Sequence, residues 1–361
     1  MNQFKRRISK IVTVGKLPVG GGFPVSVQSM TTPHTTDLAA MKRQIQALEA
    51  AGCQLIRMTV SDDAAAFVLP EIKKMMTVPL VADIHFDYRL ALKAIDAGAD
   101  KIRINPGNIG SKDRIQAVLK AARSAKIPIR IGVNAGSLEK ELLEQYGHPS
   151  AEAMVASATR HIQICEEFGF EDIVVALKAS NVALMIAANR LFAEQSNYPL
   201  HLGVTEAGPP WQGTIKSAIG IGTLLAEGIG DTIRVSLTDN PVQEVHAGFE
   251  ILKSLDLIKK GVTIISCPTC GRADVDIFGI VTALENRIKH IQTPMTVAVM
   301  GCAVNGPGEA READLGVAGG KKSFLLFKKG AIIAKIPESQ VLERLLEEIE
   351  HLSESKEEIS S

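Results

Sequence analysis

The sequence has few aromatic residues and no net charge, and both features narrow the classes of protein that it can encode. Phe, Tyr and Trp make up 4% of the 361 residues, and 40 basic residues balance 40 acidic ones. A neutral chain has no global basic field for nucleic acid or a membrane surface, and no nucleic-acid-binding module is recognisable. Any anion site must therefore depend on a local group of cations.

Long apolar runs are also missing. The basic start, Lys5–Arg7, is followed only by the apolar run Ile11–Val14, which is too short for the core of a signal peptide. The longer apolar stretches are interrupted by Lys178, Asn181 and Arg190, so none of them resembles a membrane-spanning helix. We therefore expect a cytoplasmic protein that binds neither membranes nor nucleic acid.

Cysteine is scarce and odd in number. The chain has five cysteines, and two of them, Cys267 and Cys270, are separated by only two residues. Without a secretory signal, this usage favours metal or redox chemistry over a framework of disulfides. Cys53 and Cys165 lie in helical contexts and are interpreted as small core residues.

The abundant residues are Ala, Ile, Val, Leu and Gly, which suit a parallel sheet that is buried on both faces. A strand followed by a helix recurs eight times between about residue 25 and residue 255. The strand candidates contain Val25–Met30, Leu55–Thr59, Leu80–Asp83, Lys101–Asn105, Ile129–Asn134, Ile173–Lys178, Leu200–Val204 and Ile233–Leu237. Eight βα units predict an α/β fold, a (β/α)8 TIM barrel over residues 1–258.

The alternative fold is an open doubly wound sheet, which is disfavoured because no Gly-x-Gly-x-x-Gly turn follows the first strand. Ahead of the barrel, residues 11–23 contain turns at Gly15 and at Gly20–Gly22. This pattern predicts a hairpin that plugs the base of the barrel.

The regular alternation of strands and helices ends near residue 260, which predicts a second, small α+β domain over residues 259–361. We expect a helical stretch from Cys267 to about His290 and a helix from about Ser339. Short strands are predicted at Thr296–Met300, Leu315–Val317, Phe324–Phe327 and Ala331–Ala334. The polar tail, Ser353–Ser361, is expected to fray.

Five cations occur within five different predicted strands of the barrel. They are Arg57, Arg103, Arg130, Lys178 and Arg234. In barrels of this class the active site forms at the carboxyl ends of the strands, where converging like charges are costly unless they are paired. A ligand with several phosphate oxygens resolves that cost, and arginine matches phosphate geometry. The alternative is that these cations pair with Asp83, Glu206 and each other.

Other polar residues lie at or near the same strand ends. Asp83 and His85 are two residues apart and are suited to orienting a substrate hydroxyl. Glu206 is a carboxylate near the phosphate-binding cations, which suggests that it handles protons. The alternative is that Glu206 is only a partner for Lys178 or Arg234. Asn134 and Ser236 complete the ring of candidate binding residues.

The second domain carries a candidate metal site. Cys267 and Cys270 can reach one metal or one cluster, and Cys302 follows on a second loop. Three thiolates are one short of a four-cysteine zinc site or cluster. Glu309, on a loop rich in Gly and Pro, is the best protein candidate for the fourth ligand. A dithiol switch and a zinc site completed by His290 or Glu309 remain the alternatives.

Seven segments, distributed in order along nearly the whole chain, resemble the 4-hydroxy-3-methylbut-2-enyl diphosphate synthase family in its short, two-domain form. They are Val27–Thr31, Ala82–Asp87, Lys101–Asn108, Arg130–Ser137, Gly203–Gly208, Ile265–Arg272 and Gly301–Glu309. The chain does not depart from the family pattern at the metal-ligand positions. Only about ten residues separate the last barrel helix from Cys267, so the large insertion of the longer form is absent.

The resemblance implies that the second domain is of the ferredoxin or sulfite-reductase type. It implies a 4Fe–4S cluster held by Cys267, Cys270, Cys302 and, in the resting state, Glu309. It also implies a homodimer in which the cluster domain of one subunit closes over the barrel mouth of its partner.

The substrate implied by the resemblance is 2-C-methyl-D-erythritol 2,4-cyclodiphosphate. Its diphosphate would be held by Arg57, Arg103, Arg130, Asn134, Lys178, Arg234 and Ser236. Flavodoxin or ferredoxin would deliver two electrons, one at a time, and Glu206 would supply a proton, with Asp83 and His85 as further catalytic residues. Two other classes remain open: a zinc-containing barrel transferase or lyase that acts on a phosphorylated pterin-like or sugar substrate, and a non-enzymatic iron–sulfur sensor.

Overall fold

The computed structural model describes residues 5–104, 111–268, 275–302, 308, 311–320 and 323–360. The chain divides into two compact units, Met1–Ile258 and Lys259–Ser361. Among the helices in the described part of the chain, none has the length and apolarity needed to cross a membrane.

The first unit is built on eight parallel strands. They are β3 (Ser26–Met30), β4 (Leu55–Thr59), β5 (Leu80–Asp83), β6 (Lys101–Ile104), β7 (Ile129–Asn134), β8 (Ile173–Lys178), β9 (His201–Leu202) and β10 (Thr232–Ile233). The order of the strands is β8-β7-β6-β5-β4-β3-β10-β9, and a bridge between Val175 and Leu200 joins β8 to β9. The sheet therefore closes on itself, and the predicted TIM barrel is confirmed.

Helices follow the strands and cover the outside of the barrel. They are α1 (Leu38–Ala50), α2 (Asp63–Lys74), α3 (Tyr88–Asp96), α4 (Lys112–Ala125), α5 (Lys140–Tyr146), α6 (Ala151–Glu167), α7 (Val182–Gln195), α8 (Pro210–Ala226) and α9 (Pro241–Ser254). Several begin at a side chain that caps the first turn. Asp37, Asp62 and Asn181 each accept a hydrogen bond from the backbone N–H three residues later, which satisfies a donor that the helix leaves unpaired.

A hairpin precedes the barrel, as the glycine turns predict. Its strands, β1 (Val12–Val14) and β2 (Leu17–Val19), pair antiparallel around a turn in which Gly15 has a φ of 59°. Val14 and Val19 are buried against Leu55 and Val81, which lie at the amino ends of β4 and β5. The hairpin therefore closes the base of the barrel with apolar contacts.

The inside of the barrel is unusually polar. Side chains alternate along each strand, and the strand registers sort those that face inward into layers of four from alternate strands. From the base upward, the layers are Leu55, Lys101, Val174 and Thr232; Gln28, Val81, Arg130 and His201; Arg57, Arg103, Ala176 and Arg234; and Met30, Asp83, Gly132 and Gly203. The apolar core instead lies between the outer faces of the strands and the helices.

The second unit contains one mixed sheet with two long helices. Its strands, in spatial order, are β11 (Val262–Ser266), β12 (Met295–Met300), β13 (Leu315–Gly320), β14 (Ser323–Lys328) and β15 (Ala331–Pro337). The first three are parallel and the others antiparallel. Helices α10 (Ile277–Arg287) and α11 (Val341–Ser360) pack on this sheet around a core that includes Leu284, Val297 and Leu345.

The structure differs from the sequence-based expectation at three places in this unit. The helix expected from Cys267 begins at Ile277, and Cys267 and Pro268 are not helical. Strand β11 is an addition, because the sequence analysis predicts no strand between the last barrel helix and Cys267. The expected fraying of the tail is wrong, since α11 continues to Ser360. Lys356 explains part of this order, because its Nζ lies 3.1 Å from Oδ1 of Asp314 and donates to the carbonyl of Pro294 at 2.9 Å.

Candidate functional site

A cavity of about 280 Å³ lies among the carboxyl ends of the barrel strands. All the predicted barrel residues except Glu206 line it. Its lining consists of Met30, Arg57, Thr59, Asp83, His85, Arg103, Arg130, Gly132, Asn134, Ala176, Lys178, Thr205, Arg234 and Ser236. The structure thus brings five cations from separate strands into one small space.

Small residues make room for this cavity. A Cβ atom on Gly203 would lie 2.8 Å from Nζ of Lys178 and 2.6 Å from the carbonyl oxygen of Arg234. A Cβ atom on Gly132 would lie 3.1 Å from Nε of Arg103. Glycine at these two positions therefore allows long cationic side chains to fold across the mouth of the barrel.

Asp83 is the carboxylate at the centre of these cations. Its Oδ1 accepts a hydrogen bond from Nη1 of Arg103 at 3.0 Å, and its Oδ2 lies 3.5 Å from Nε of Arg57. Burial would raise the pKa of Asp83, but Arg57, Arg103 and Arg130 outweigh it and hold that pKa below its usual value. Asp83 is therefore ionised at neutral pH, and it fixes two of the guanidinium groups.

The cavity nevertheless keeps an excess of positive charge. Arg130 is 2% exposed, and its Nε and Nη1 have no hydrogen-bond partner among the described residues. Burial lowers the pKa of Lys178, and the charges of Arg130 and Arg234 lower it further. A bound anion would stabilise these groups in their charged forms, because each one lacks the solvent that would otherwise stabilise its charge.

A second carboxylate that sequence reasoning missed supports the cavity from outside. Glu244, on α9, is 4% exposed and accepts hydrogen bonds from Oγ of Ser29 at 2.9 Å and from the backbone N–H of Leu237 at 3.0 Å. Its Oε1 lies 3.4 Å from Nη2 of Arg234. The signal was present in the sequence, since Glu244 occupies the same helical face as the buried residues Pro241 and Gly248.

Glu206 and His85 lie at the rim. The side chain of His85 is 44% exposed, and its Nε2 is 3.9 Å from Oδ2 of Asp83. Glu206 is exposed and has a left-handed backbone with a φ of 52°, whereas its neighbour Thr205 lines the cavity. The carboxylate that faces the cations is therefore Asp83, and the role of Glu206 in proton transfer stays a prediction.

In the second unit, two cysteines follow neighbouring parallel strands. Cys267 comes directly after β11, and Cys302 comes two residues after the end of β12. These strands pair in register, with Ser266 beside Val299. The Sγ atom of Cys267 also accepts a hydrogen bond from the backbone N–H of Gly301 at 3.2 Å.

Cys270 and Glu309 lie outside the described residues, and among the described residues no group of three His, Cys, Asp or Glu side chains could hold a metal. The cysteines of the barrel have a different character. Cys53 and Cys165 are buried, and burial raises the pKa of each thiol to about 12. Both are core residues, as expected. Cys165 lies in α6, but the helical context expected for Cys53 is wrong, since Cys53 lies between α1 and β4.

Comparison with known proteins accounts for both units. Residues 9–249 match the family model described as the GcpE TIM-barrel domain, and residues 263–351 match the GcpE protein C-terminal domain. A protein from Clostridium perfringens is 56% identical over 345 residues, which cover 96% of this chain and 99% of the relative. A protein from Geobacter sulfurreducens is 55% identical and covers 96% of this chain and 98% of its own. Both are named 4-hydroxy-3-methylbut-2-en-1-yl diphosphate synthase (flavodoxin).

Two solved structures share a similar fold over about two thirds of the chain. A dihydropteroate synthase from Yersinia pestis, in complex with a sulfonamide drug, gives a TM-score of 0.51 at 15% identity and covers 68% of this chain and 100% of its own. A 3-dehydroquinate dehydratase from Geobacillus kaustophilus gives a TM-score of 0.50 at 14% identity, with coverage of 69% and 98%. At this identity the likeness concerns the fold, and it carries no chemistry over to this chain.

Proposed function

The chain belongs to the GcpE family, and from that membership we propose that it converts 2-C-methyl-D-erythritol 2,4-cyclodiphosphate into (E)-4-hydroxy-3-methylbut-2-enyl diphosphate. The reaction opens the ring reductively and removes a hydroxyl group, and it belongs to the methylerythritol phosphate route to isoprenoids. The observation that carries the proposal is the convergence of five cations on one cavity that also holds Asp83. Such a cavity suits a compact dianion.

The diphosphate is held by the cations at the bottom and sides of the cavity. Arg130 offers Nε and Nη1, which have no partner among the described residues, and Lys178 adds a buried amine from the next strand. Arginine can bind phosphate oxygens through two parallel N–H groups, while lysine contributes a point charge. The remaining binding groups are Arg57, Arg103, Asn134, Arg234 and Ser236.

The carboxylates and His85 have separate tasks. Asp83 holds Arg57 and Arg103 in place, so their positions are fixed before the ligand arrives. His85 lies at the rim, within reach of a ligand hydroxyl above Asp83. Glu206 delivers a proton from the rim, where its exposure allows it to exchange protons with solvent.

The second unit suits a 4Fe–4S cluster. Cys267 and Cys302 follow neighbouring parallel strands, and a thiolate that accepts a backbone N–H, as Cys267 does from Gly301, is typical of sulfur ligands to iron. Cys270 and Glu309 would complete the ligand set. When bound, such a cluster supplies the substrate with two electrons, one at a time.

The electron donor is flavodoxin, the protein that the names of the relatives mention, or ferredoxin. We further propose a homodimer that works in the cytoplasm, without nucleic acid or membrane. An apolar stripe on α8 supports self-association: Trp211, Ile215 and Ile219 recur every four residues and are 78%, 43% and 54% exposed. Apolar side chains grouped in this way are characteristic of interaction surfaces.

The experiment is metal analysis of protein purified without oxygen, followed by an assay. We expect about four iron and four sulfide per chain, a broad thiolate-to-iron absorption band, and conversion of the cyclodiphosphate that depends on a reductant. Stoichiometric zinc without that band, persisting after iron–sulfur reconstitution, would contradict the proposal and favour a zinc-containing transferase. A cluster without turnover would favour a sensor.

A further inference from the structure

A lysine is buried at the floor of the barrel, below the residues that line the cavity. Lys101 begins β6 and has 0% exposure, and its Nζ has no hydrogen-bond partner among the described residues. The strand registers place it in the lowest of the four layers, beside Leu55, Val174 and Thr232. Neither the anion site nor the cluster site uses this amine.

The groups that face Lys101 from other strands are cationic or neutral. Arg130 on β7 and His201 on β9 lie in the layer directly above, and Arg57 on β4 lies one layer higher. Asp83 is three layers above Lys101 and is already engaged by Arg103 and Arg57. Among the described residues, these lowest two layers therefore hold no carboxylate to balance an ammonium.

The amine of Lys101 can accept a proton in these surroundings. Burial, and then the charges of Arg130 and Arg57, lower the pKa of Lys101 to about 7. Burial and the neighbouring cations also lower the pKa of His201, so its ring is neutral at that pH. Gln28, in the layer above Lys101, has an amide oxygen without a partner among the described residues. A neutral amine and an ammonium ion can therefore both be accommodated at the floor.

We propose that Lys101 is a positioning residue for the diphosphate site. Its amine takes up a proton when the dianion binds above it, and the ammonium then stabilises that anion through Arg130 and Arg57. The proposal depends on the proposed function, because the dianion is the cyclodiphosphate. The negative charge of the ligand offsets the like charges of Arg130 and Arg57. At pH values above the pKa of Lys101 in the free protein, the proton on Lys101 is therefore favoured only in the complex. The buffer supplies this proton.

The cyclodiphosphate is a suitable probe because each of its phosphorus atoms carries one strongly acidic hydroxyl. Its charge is therefore constant near neutral pH, and any proton taken up on binding goes to the protein. The experiment is isothermal titration of the cyclodiphosphate into the oxygen-free holoenzyme without reductant, in buffers of different ionisation enthalpy. Lys178 lines the cavity and its pKa is lowered too, so it can also take up a proton. At pH 8 we therefore expect the natural protein to take up about one proton more, for each ligand bound, than a variant without Lys101.

The affinity for the cyclodiphosphate should decrease as the pH rises. Binding is strongest below the pKa of Lys101 in the free protein, where the ammonium exists already. It weakens by up to about tenfold per pH unit above that value, and it levels off above the higher pKa in the complex. An affinity that is constant between pH 6 and pH 9 would overturn the proposal without any variant.

Variants separate Lys101 from the other titratable groups. Lys101→Met should bind the cyclodiphosphate more weakly and take up about one proton fewer than the natural protein. Lys101→Arg should restore affinity without restoring that proton, because its charge is permanent. Lys120→Met, which changes an exposed lysine of α4, is the matched control, and it should retain the affinity and the uptake. Undiminished uptake in Lys101→Met would overturn the inference while the proposed function stands. Absence of binding by the natural protein would overturn both.

Discussion

Arg103 and Asp83 form a buried ion pair in the wall of the cavity, with 3.0 Å between Nη1 and Oδ1 and side-chain exposures of 12% and 3%. The two residues occupy neighbouring strands in register, so the backbone itself fixes their approach. Arg57 contacts the other oxygen of the same carboxylate. One aspartate thus holds two arginines in the orientation in which they face the cavity.

The first prediction concerns Asp83→Asn. The substitution leaves two buried guanidinium groups without a counter-charge, so we expect the free energy of unfolding to fall by about 3–5 kcal/mol. Saturating cyclodiphosphate should recover part of that loss, since the ligand binds only the folded state. Urea unfolding with and without ligand measures both effects.

Asp87→Asn is a control for this experiment. Asp87 pairs with Arg89, with side chains that are 34% and 70% exposed, and it caps α3, a role that asparagine retains. We expect a loss of less than about 1 kcal/mol from such an exposed pair. Equal losses in the two variants would contradict the central position given to Asp83.

The second prediction concerns Gly203→Ala. The new Cβ would overlap the carbonyl oxygen of Arg234 and Nζ of Lys178, at 2.6 Å and 2.8 Å. Because the backbone cannot yield easily, Lys178 is displaced, and we expect the KM for the cyclodiphosphate to rise at least about tenfold, the effect of losing one charged hydrogen bond.

Steady-state kinetics of Gly222→Ala provide the comparison. Gly222 lies within α8, and a Cβ there would meet no atom within 4 Å. We expect unchanged kinetics and a gain of about 0.5–1 kcal/mol in stability, because alanine favours the helix. A normal KM for Gly203→Ala would show that Lys178 does not hold the substrate.

The third prediction concerns Glu206→Gln. Glu206 does not line the cavity, so binding of the cyclodiphosphate should be retained, while turnover should fall by about 100-fold or more if this carboxylate delivers the proton. Glutamine is nearly the same size as glutamate, and it adopts the left-handed backbone equally well. Single-turnover kinetics with excess reductant measure the effect, and near-normal rates would refute the role.

Glu227→Gln is the corresponding control for a carboxylate outside the site. Glu227 is the C-cap residue of α8 and pairs with Arg190 on the outside of the barrel, away from the carboxyl ends of the strands. Its turnover should equal that of the natural protein. A similar decrease in both variants would indicate a general loss of stability rather than a missing proton.

The fourth prediction concerns Cys302→Ala. Removal of one thiolate should abolish assembly of the cluster, so that iron content and visible absorbance both fall to near zero. Cys165→Ala removes a buried thiol of the barrel core and should affect stability only. Full cluster absorbance in Cys302→Ala would contradict the ligand assignment.

Much of the barrel could be predicted from the sequence because its strands are short apolar runs that contain isolated charged residues. Arg57, Arg103 and Arg130 are conspicuous among Ile, Val and Leu, and polar side chains near the carboxyl ends of parallel strands must converge. The seven family segments then identified the substrate, which no charge pattern could do.

The remaining features depend on distant contacts. The position of Glu244 on the buried face of its helix can be inferred from the sequence, but only the folded chain reveals Ser29 and Arg234 beside it. Strand β11 was missed because its residues are mostly exposed, so Val262–Ser266 lacks the periodicity of a buried strand despite its β-branched residues. Glu206 is exposed because it lies in a turn with a left-handed backbone. The sequence has no glycine at that position to indicate such a turn.

The apolar contacts of Val14 and Val19 with Leu55 and Val81 also bear on the order of events in turnover. Because they close the base of the barrel, substrate reaches the cavity from the carboxyl ends of the strands. Product must then leave by the route that the next substrate takes, and the two cannot pass each other. Product release and substrate entry are therefore strictly alternating steps, and accumulated product is expected to inhibit by competition.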